Sequence, residues 1–476
     1  MMKAARRCSA VVNQLCVSRR TRPAAGTRCP PGSEVTPVGT RTRGTCSQPR
    51  TPARGPAEAV RRPGSREGSV ENVRRITRGH TRPVFPLVQR RPIGPMGSNS
   101  SSRFFGTLAQ SLNSAQPDPY LEENPDRDPD LDPTQMDPDQ LLRECEEALQ
   151  RRPARPRRDL VHLNGMVPCR HKPSAPIRIM QWNILAQALG EGKDGFIRCP
   201  LEALNWQERK YLILEEILTY RPDILCLQEV DHYYDTLQPI MASLGYHGSF
   251  LAKPWSPCLD VERNNGPDGC ALFYRRSRFA LQATAHLRLS AMMLPTNQVA
   301  IVQTLSCQLT GQRLCVAVTH LKARSGWERL RSAQGADLLQ SLCSITSQGG
   351  NGTRMGATQS AVPLVVCGDF NAEPTEDVYR RFSSSPLGLN SAYKLLSCDG
   401  QTEPPFTTWK IRPTGESRST LDYIWYTHDA LSVDSVLDIP TEEQIGPDRL
   451  PSYHYPSDHL SLLCDISFRE EPHRLM

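Results

Sequence analysis

Five apolar runs in this chain end in, or follow directly on, a polar residue able to do chemistry, and that repetition constrains the fold more than any other feature. Met180-Gln181-Trp182-Asn183, Leu225-Cys226-Leu227-Gln228-Glu229, Ala317-Val318-Thr319-His320 and Pro363-Leu364-Val365-Val366-Cys367, which runs on into Gly368-Asp369-Phe370-Asn371, each read as a buried strand with a functional group at its end. A fifth cluster, Ser457-Asp458-His459, precedes Leu460-Ser461-Leu462-Leu463. An Asp and an Asn two apart on a turn after a strand, as Asp369 and Asn371 are, can both aim at one centre. Strands that deliver carboxylates, amides and imidazoles to one rim supply what metal-assisted phosphate hydrolysis requires.

Charge separates the chain into a lead and a body. Residues 1–95 hold 20 Lys and Arg against 4 Asp and Glu, residues 96–175 hold 10 against 13, and residues 176–476 hold 27 against 33. The basic balance of the whole is a property of the lead, and the mildly acidic body lacks the footprint of a protein that grips long nucleic acid. Lys3, Arg6, Arg7, Arg19, Arg20, Arg22 and Arg28 all precede the first acid, Glu34. An Arg-rich, acid-free start has the composition of a mitochondrial presequence or of a disordered basic tail. From Pro30 to Pro95 the chain is too rich in Pro, Gly, Arg, Ser and Thr to bury a core, and reads as linker.

Met96-Gly97-Ser98-Asn99-Ser100-Ser101 fits the myristoylation pattern at Gly97 if translation starts at Met96. The expected locations are mitochondrial for the full chain, and cytoplasmic or nuclear for a form lacking the lead. Residues 96–175 are expected to be linker with one short amphipathic helix, Asp137 to Leu149, carrying Pro in its first turn. No run reaches the roughly 18 apolar residues of a membrane span. The 16 cysteines form no C-x-x-C pair, and Cys226, Cys315 and Cys367 sit inside apolar strand runs, so they read as free thiols acting as small hydrophobes.

From residue 176 to 476 strands and helices alternate in one body. Ile177 to Gln181, Asp223 to Leu227, Cys270 to Tyr274, Val299 to Leu305 and Leu314 to Thr319 are predicted strands, the last two joined through a Thr310-Gly311 turn. Trp206 to Tyr220 carries apolar residues at helical spacing and stops before Pro222; Leu330 to Leu342 is a second helix. Gly349 to Thr358 reads as a surface excursion.

The candidate catalytic set follows from the strand ends. A carboxylate at Glu229, after four apolar residues and Gln228, is costly to bury without a cation, and one carboxylate plus waters and substrate phosphate suits Mg²⁺. Asn183 can reach the same ion or a phosphate oxygen. Asp369 can orient and deprotonate water while Asn371 donates to phosphoryl oxygens. Asp422, in Thr420-Leu421-Asp422-Tyr423-Ile424, and His459 can form a carboxylate–imidazole pair, with Asp458 on the metal side. Taken singly, each of these is also an ordinary structural hydrogen bond.

Trp182-Asn183, Leu227-Gln228-Glu229, Thr319-His320, Gly368-Asp369-Phe370-Asn371, Leu421-Asp422-Tyr423 and Ser457-Asp458-His459 together resemble the exonuclease-endonuclease-phosphatase superfamily. Lys253-Pro254-Trp255-Ser256-Pro257-Cys258, Asn264 to Cys270 and His320-Leu321-Lys322-Ala323-Arg324 narrow the resemblance to its deadenylase-related branch, from about Pro176 to Phe468. The resemblance implies a four-layer α-β-β-α sandwich, an α/β fold. It implies a Mg²⁺-dependent phosphohydrolase with Glu229 as metal ligand, Asn183, His320, Asp369, Asn371, Asp422, Asp458 and His459 as the other catalytic residues, and NADP⁺ and NADPH as substrates losing their 2′-phosphate. A link to circadian control of metabolism belongs to the same implication. So does a substrate site of Glu229, Lys253, Pro254, Trp255, Asn297, His320, Leu321, Lys322, Ala323, Arg324, Asp369, Phe370, Asn371, Arg412 and His459.

Three function classes remain: a dinucleotide phosphatase, an RNA 3′-exonuclease and a non-catalytic adaptor. An adaptor has no need of a water-activating Asp369. An RNA track needs cations for consecutive phosphates and exposed aromatics for stacking. The few cations beside the motifs, Lys253, Lys322, Arg324 and Arg412, suit one terminal monoester and a pyrophosphate, which favours the phosphatase.

Overall fold

The computed structural model describes residues 136–163, 176–348 and 361–469. The basic lead, the pattern at Met96 and the excursion at 349–358 lie outside them. In chain order the strands are β1 (Leu160–His162), β2 (Ile177–Asn183), β3 (Ile224–Val230), β4 (Tyr246–Ala252), β5 (Gly269–Arg275), β6 (Phe279–Ala291), β7 (Leu294–Cys307), β8 (Arg313–His320), β9 (Leu364–Asp369), β10 (Leu389–Ser391), β11 (Thr408–Arg412), β12 (Gly415–Ser419), β13 (Asp422–Thr427), β14 (Leu431–Leu437) and β15 (Leu462–Phe468). The helices that cover them include α1 (Pro138–Leu149), α2 (Trp206–Tyr220), α3 (Glu328–Gln348) and α4 (Asp377–Ser383).

Two large sheets result, in the orders β1-β14-β15-β2-β3-β5-β4 and β10-β13-β9-β8-β7-β6, with β11-β12 as a separate ribbon. Strand alternation explains the layering. Met180, Trp182, Leu225 and Leu227 point outward and pack with Trp206, Leu214 and Ile217 of α2. Ile179 and Cys226, one residue out of phase with them, point inward and meet Cys367, Ile424 and Cys464 between the sheets. On the far face Val366 and Trp425 pack under Leu338 and Leu342 of α3 and Phe382 of α4. This is the expected α-β-β-α sandwich.

The helix expected after Asp137 forms, with Asp137 accepting from the Asp139 N–H at 3.0 Å and Pro138 in the first turn. It is not a linker element. Leu141, Cys145 and Leu149, spaced one turn apart, join the core beside α2, and β1 pairs antiparallel with β14. The body therefore reaches N-terminal of residue 176, because the amphipathic stripe is buried. β6 and β12 were not legible: most of β6 is exposed and β12 is Gly-Glu-Ser-Arg-Ser, so neighbouring strands rather than an apolar pattern specify them. No helix among the described residues is long and apolar enough to cross a membrane. The described cysteines are free, with Cys226, Cys315 and Cys367 buried as expected.

Candidate active site

Register brings the strand ends together. Across the second sheet His320 of β8 pairs with Asp369 of β9, and Asp369 pairs with Asp422 of β13, so three chemical groups stand in one row. Gly368 permits this row, since a Cβ there would lie 2.5 Å from the Thr319 carbonyl oxygen. In the first sheet Asn183 ends β2 opposite Gln228 of β3, and the ladder of β3 shifts between Leu227 and Val230. Glu229 sits in that shift with φ 55°, and Asn371 has φ 50° after β9. Left-handed backbone at non-glycine residues costs about 1–2 kcal/mol each and is concentrated at functional sites. Here it turns both side chains toward the same centre.

Asn183 links the sheets. Its Nδ2 donates to Glu229 Oε1 and to Asp369 Oδ2, each at 3.0 Å, while its Oδ1 accepts from the Leu185 N–H at 3.1 Å. Burial, reinforced by Asp458 and opposed by Lys253, raises the Glu229 carboxyl to about 7. Burial also raises Asp369 to about 6, against the pull of His459. Two neighbouring carboxyls that hold protons this strongly are the donor set a hard divalent cation would relieve, all oxygen and close to strand ends. The residues present fit Mg²⁺ at Glu229.

The two histidines are set to opposite charge states. His459 Nδ1 lies 2.8 Å from Asp422 Oδ2 and its Nε2 lies 3.7 Å from Asp369 Oδ2. Burial alone would neutralise this ring, but Asp422, Asp369 and Asp458 outweigh it and raise it to about 9. Asp422 also accepts from Gln181 Nε2 at 2.9 Å and from Thr407 Oγ1 at 2.7 Å. Asp369, Asp422 and His459 place ligand atoms within 4.8 Å of one another. A carboxylate so fully engaged, beside an imidazolium, is nonetheless a polarising pair rather than a cation cage. His320 is driven well below its ordinary value by burial and by Lys253 and His459. The Lys253 ammonium lies 3.2 Å from His320 Nδ1, and His320 Nε2 lies 3.5 Å from Asp369 Oδ2.

Several expected roles change. Asp458, whose charge is felt at Glu229, is held by Lys410 and by Arg412, the latter at 3.5 Å, and with His459 they keep its carboxyl well below the usual range despite burial. Lys253 is buried at 2.6 Å from Asp268 and belongs to the floor of the site rather than to its rim. Arg412 is drawn to Asp194 at 2.8 Å and lies over the Phe196 ring. Leu321 and Phe370 point into the outer core, Phe370 edge-on to Phe382 and Tyr423, so neither side chain faces substrate. Asn297 Nδ2 donates to the Trp255 carbonyl at 2.8 Å. Asn371 Nδ2 lies 3.0 Å from His320 Nε2 and 3.2 Å from the Leu321 carbonyl. Pro254, Trp255 and Arg324 are exposed, while Lys322 and Ala323 are half-buried. Lys322 and Arg324 do not lie on an extended continuation of β8, because the chain bends and Arg324 adopts φ 80°. They are still close enough that Arg324, after burial, helps to lower the Lys322 ammonium.

Gln181, Thr407, Lys410 and Asp268 are site residues that sequence reasoning missed. Gln181 was within reach, since it lies two before Asn183 on the same strand. Thr407 and Lys410 stand on loop and ribbon positions without a pattern, and Asp268 lies within the Asn264 to Cys270 motif, which by itself assigns it no role.

The fold and this site define a class. The chain belongs to the Endonuclease/Exonuclease/phosphatase family, whose sequence profile matches residues 180–459. Within that family it is similar to nocturnin: the Mus musculus protein is 62% identical over 386 residues, covering 81% of this chain and 86% of its own. Nocturnin of Xenopus laevis is 62% identical over 79% of this chain and 94% of its own. The human nocturnin catalytic domain, solved with a bound sulfate anion, superposes with TM-score 0.54 at 59% identity, covering 66% of this chain and 97% of that one. ANGEL2, a 2′,3′-cyclic phosphatase solved with adenosine-2′,3′-vanadate, superposes with TM-score 0.52 at 26% identity, covering 65% of this chain and 98% of that one. Family membership and the intact strand-end set make the chain a hydrolase of this group.

Proposed function

We propose that the chain removes the 2′-phosphate of NADP⁺ and NADPH, with Mg²⁺ held by Glu229, to give inorganic phosphate and NAD⁺ or NADH. The observation that carries this reading is the charge at the mouth. Lys322 and Arg324 stand together beyond the buried acids, and among the described residues neither has a carboxylate within ion-pair distance. A dianionic monoester compensates two adjoining cations; an RNA diester carries one charge per nucleotide and needs a longer basic track.

The chemistry follows from the residues. The bound ion would polarise the phosphoryl oxygens. Asp369 orients the water and takes its proton; the His459 imidazolium donates to phosphoryl oxygens as charge builds. Asp422, fixed by Gln181 and Thr407, keeps His459 charged. ANGEL2 binds an adenosine 2′,3′-vanadate, which supports an adenosine ribose phosphate as the group presented.

A second reading, 3′-end removal of poly(A), is favoured by one observation: Trp255 is 74% exposed beside the site, where a base could stack. A relative from Yarrowia lipolytica, the CCR4-Not complex 3′-5′-exoribonuclease subunit Ccr4, is 30% identical over 57% of this chain. Incubating the full chain and Mg²⁺ with NADPH and, separately, with oligo(A) decides between them: phosphate release supports the first reading, and AMP release with intact NADPH supports the second. For location, we propose that the Arg-rich lead takes the full chain into mitochondria; import that persists after deletion of residues 1–40 contradicts this.

A further inference from the structure

The segment that carries Lys322 and Arg324 has no regular structure of its own, yet it is fastened. Arg331, on the first turn of α3, is 2% exposed. Its Nη1 donates to the carbonyl oxygens of Lys322 at 3.1 Å and Arg324 at 2.7 Å. Its Nε and Nη2 make a two-pronged contact with Glu376, at 3.0 and 2.9 Å. Glu376 ends the loop that begins at Asp369 and Asn371 and immediately precedes α4, with its carboxylate given to Arg331 and not to the helix end. One further bond closes the set: Gln334, one turn along α3, accepts from the Lys322 N–H at 3.2 Å.

We propose that Arg331 and Glu376 are positioning residues that staple the phosphate-binding segment to the loop leaving the water-activating Asp369. Two observations converge on this. Arg324 adopts φ 80°, a backbone region that favours glycine, and the carbonyl of that strained residue is the one Arg331 holds most closely. The guanidinium fork, planar and always charged, spans two backbone oxygens and a carboxylate at once, which a lysine ammonium cannot reproduce. Because the pair touches main chain and not the substrate, it fixes where the two cations stand relative to Asp369 while leaving the reacting groups themselves unaltered. The inference deepens the phosphatase reading by naming what aligns its monoester site, and rests on that reading for its substrate.

The test uses the full chain with Mg²⁺ and two conservative variants, Arg331→Lys and Glu376→Gln. Binding of inorganic phosphate, measured by calorimetry, is expected to weaken about tenfold in each. KM for NADPH should rise by a similar factor, while kcat changes less than about threefold. Unchanged phosphate affinity in folded variants, or kcat falling as far as KM rises, overturns the staple. If Arg331→Lys does not fold, Glu376→Gln decides alone. If the wild type leaves NADPH intact yet binds phosphate in an Arg331-dependent way, the substrate reading fails and the staple stands.

Discussion

The floor of the site and its rim are built in different ways. Asn183, His320, Asp369 and Asp422 sit on strands, buried, in positions that sheet register fixes to one another. Lys322, Arg324 and Trp255 sit on loops, half-buried or exposed, and depend on contacts such as Arg331 and Asn297 for their placement. On the proposed reading the floor supplies reactivity and the rim supplies choice of substrate. Register is costly to change, because a shift of one residue sends every side chain to the other face. Loops change freely.

The largest effect should come from the floor. Glu229→Ala removes the carboxylate of the proposed cation site, not a packing group, and is expected to lower kcat by about a thousandfold or more on any phosphate substrate, with the fold retained. Near-normal turnover at saturating Mg²⁺ would break the assignment.

A second test sharpens the floor by its linkage to protons. Glu229 is raised to about 7, so in cation-free protein its contribution to stability is present at low pH and lost as pH rises through about 7. Mg²⁺ should therefore raise the melting temperature more at pH 8 than at pH 5. An equal shift at both values would show that the ion does not meet this carboxyl. His459 works over a higher window: raised to about 9, its stabilising charge is fully present below about 6.5 and lost as pH rises through about 9. His459→Gln should flatten the fall in melting temperature between pH 7 and 9.5, and an unchanged slope would assign that fall elsewhere.

The smallest effect should come from an outer support of the rim. Asn297→Ala removes one neutral hydrogen bond to the Trp255 carbonyl, worth about 0.5–1.5 kcal/mol, and should raise KM for NADPH less than about tenfold with kcat unchanged. A larger loss would place Asn297 on the substrate itself.

The same contrast explains what was legible in the sequence. Apolar runs announce strands, and a polar residue at the end of each announces the floor, so Asn183, Glu229, His320, Asp369 and His459 could be found from pattern alone. The inter-sheet cysteines and α2 were legible for the same reason, as residues on a periodic face. The rim was not. An extended continuation after His320 was a reasonable expectation, but Arg331 and Gln334 capture the backbone there and bend it, and contacts made by a helix several residues later leave no local signal. Asp458 does lie 3.9 Å from its neighbour His459, but its other partners, Lys410 and Arg412, arrive from the ribbon β11-β12, which no local pattern announced.

The division between floor and rim is tested most directly by one ratio, kcat/KM for NADPH over kcat/KM for a small aryl phosphate, measured in the wild type and in Lys322→Ala combined with Arg324→Ala. Each lost charged hydrogen bond should cost NADPH about 1–3 kcal/mol. The aryl phosphate, which depends mainly on the intact floor, should lose less, so the ratio should fall by about tenfold or more. A ratio that stays constant while both substrates decline together would contradict the account, because the two cations would then belong to the chemistry and not to the choice of substrate.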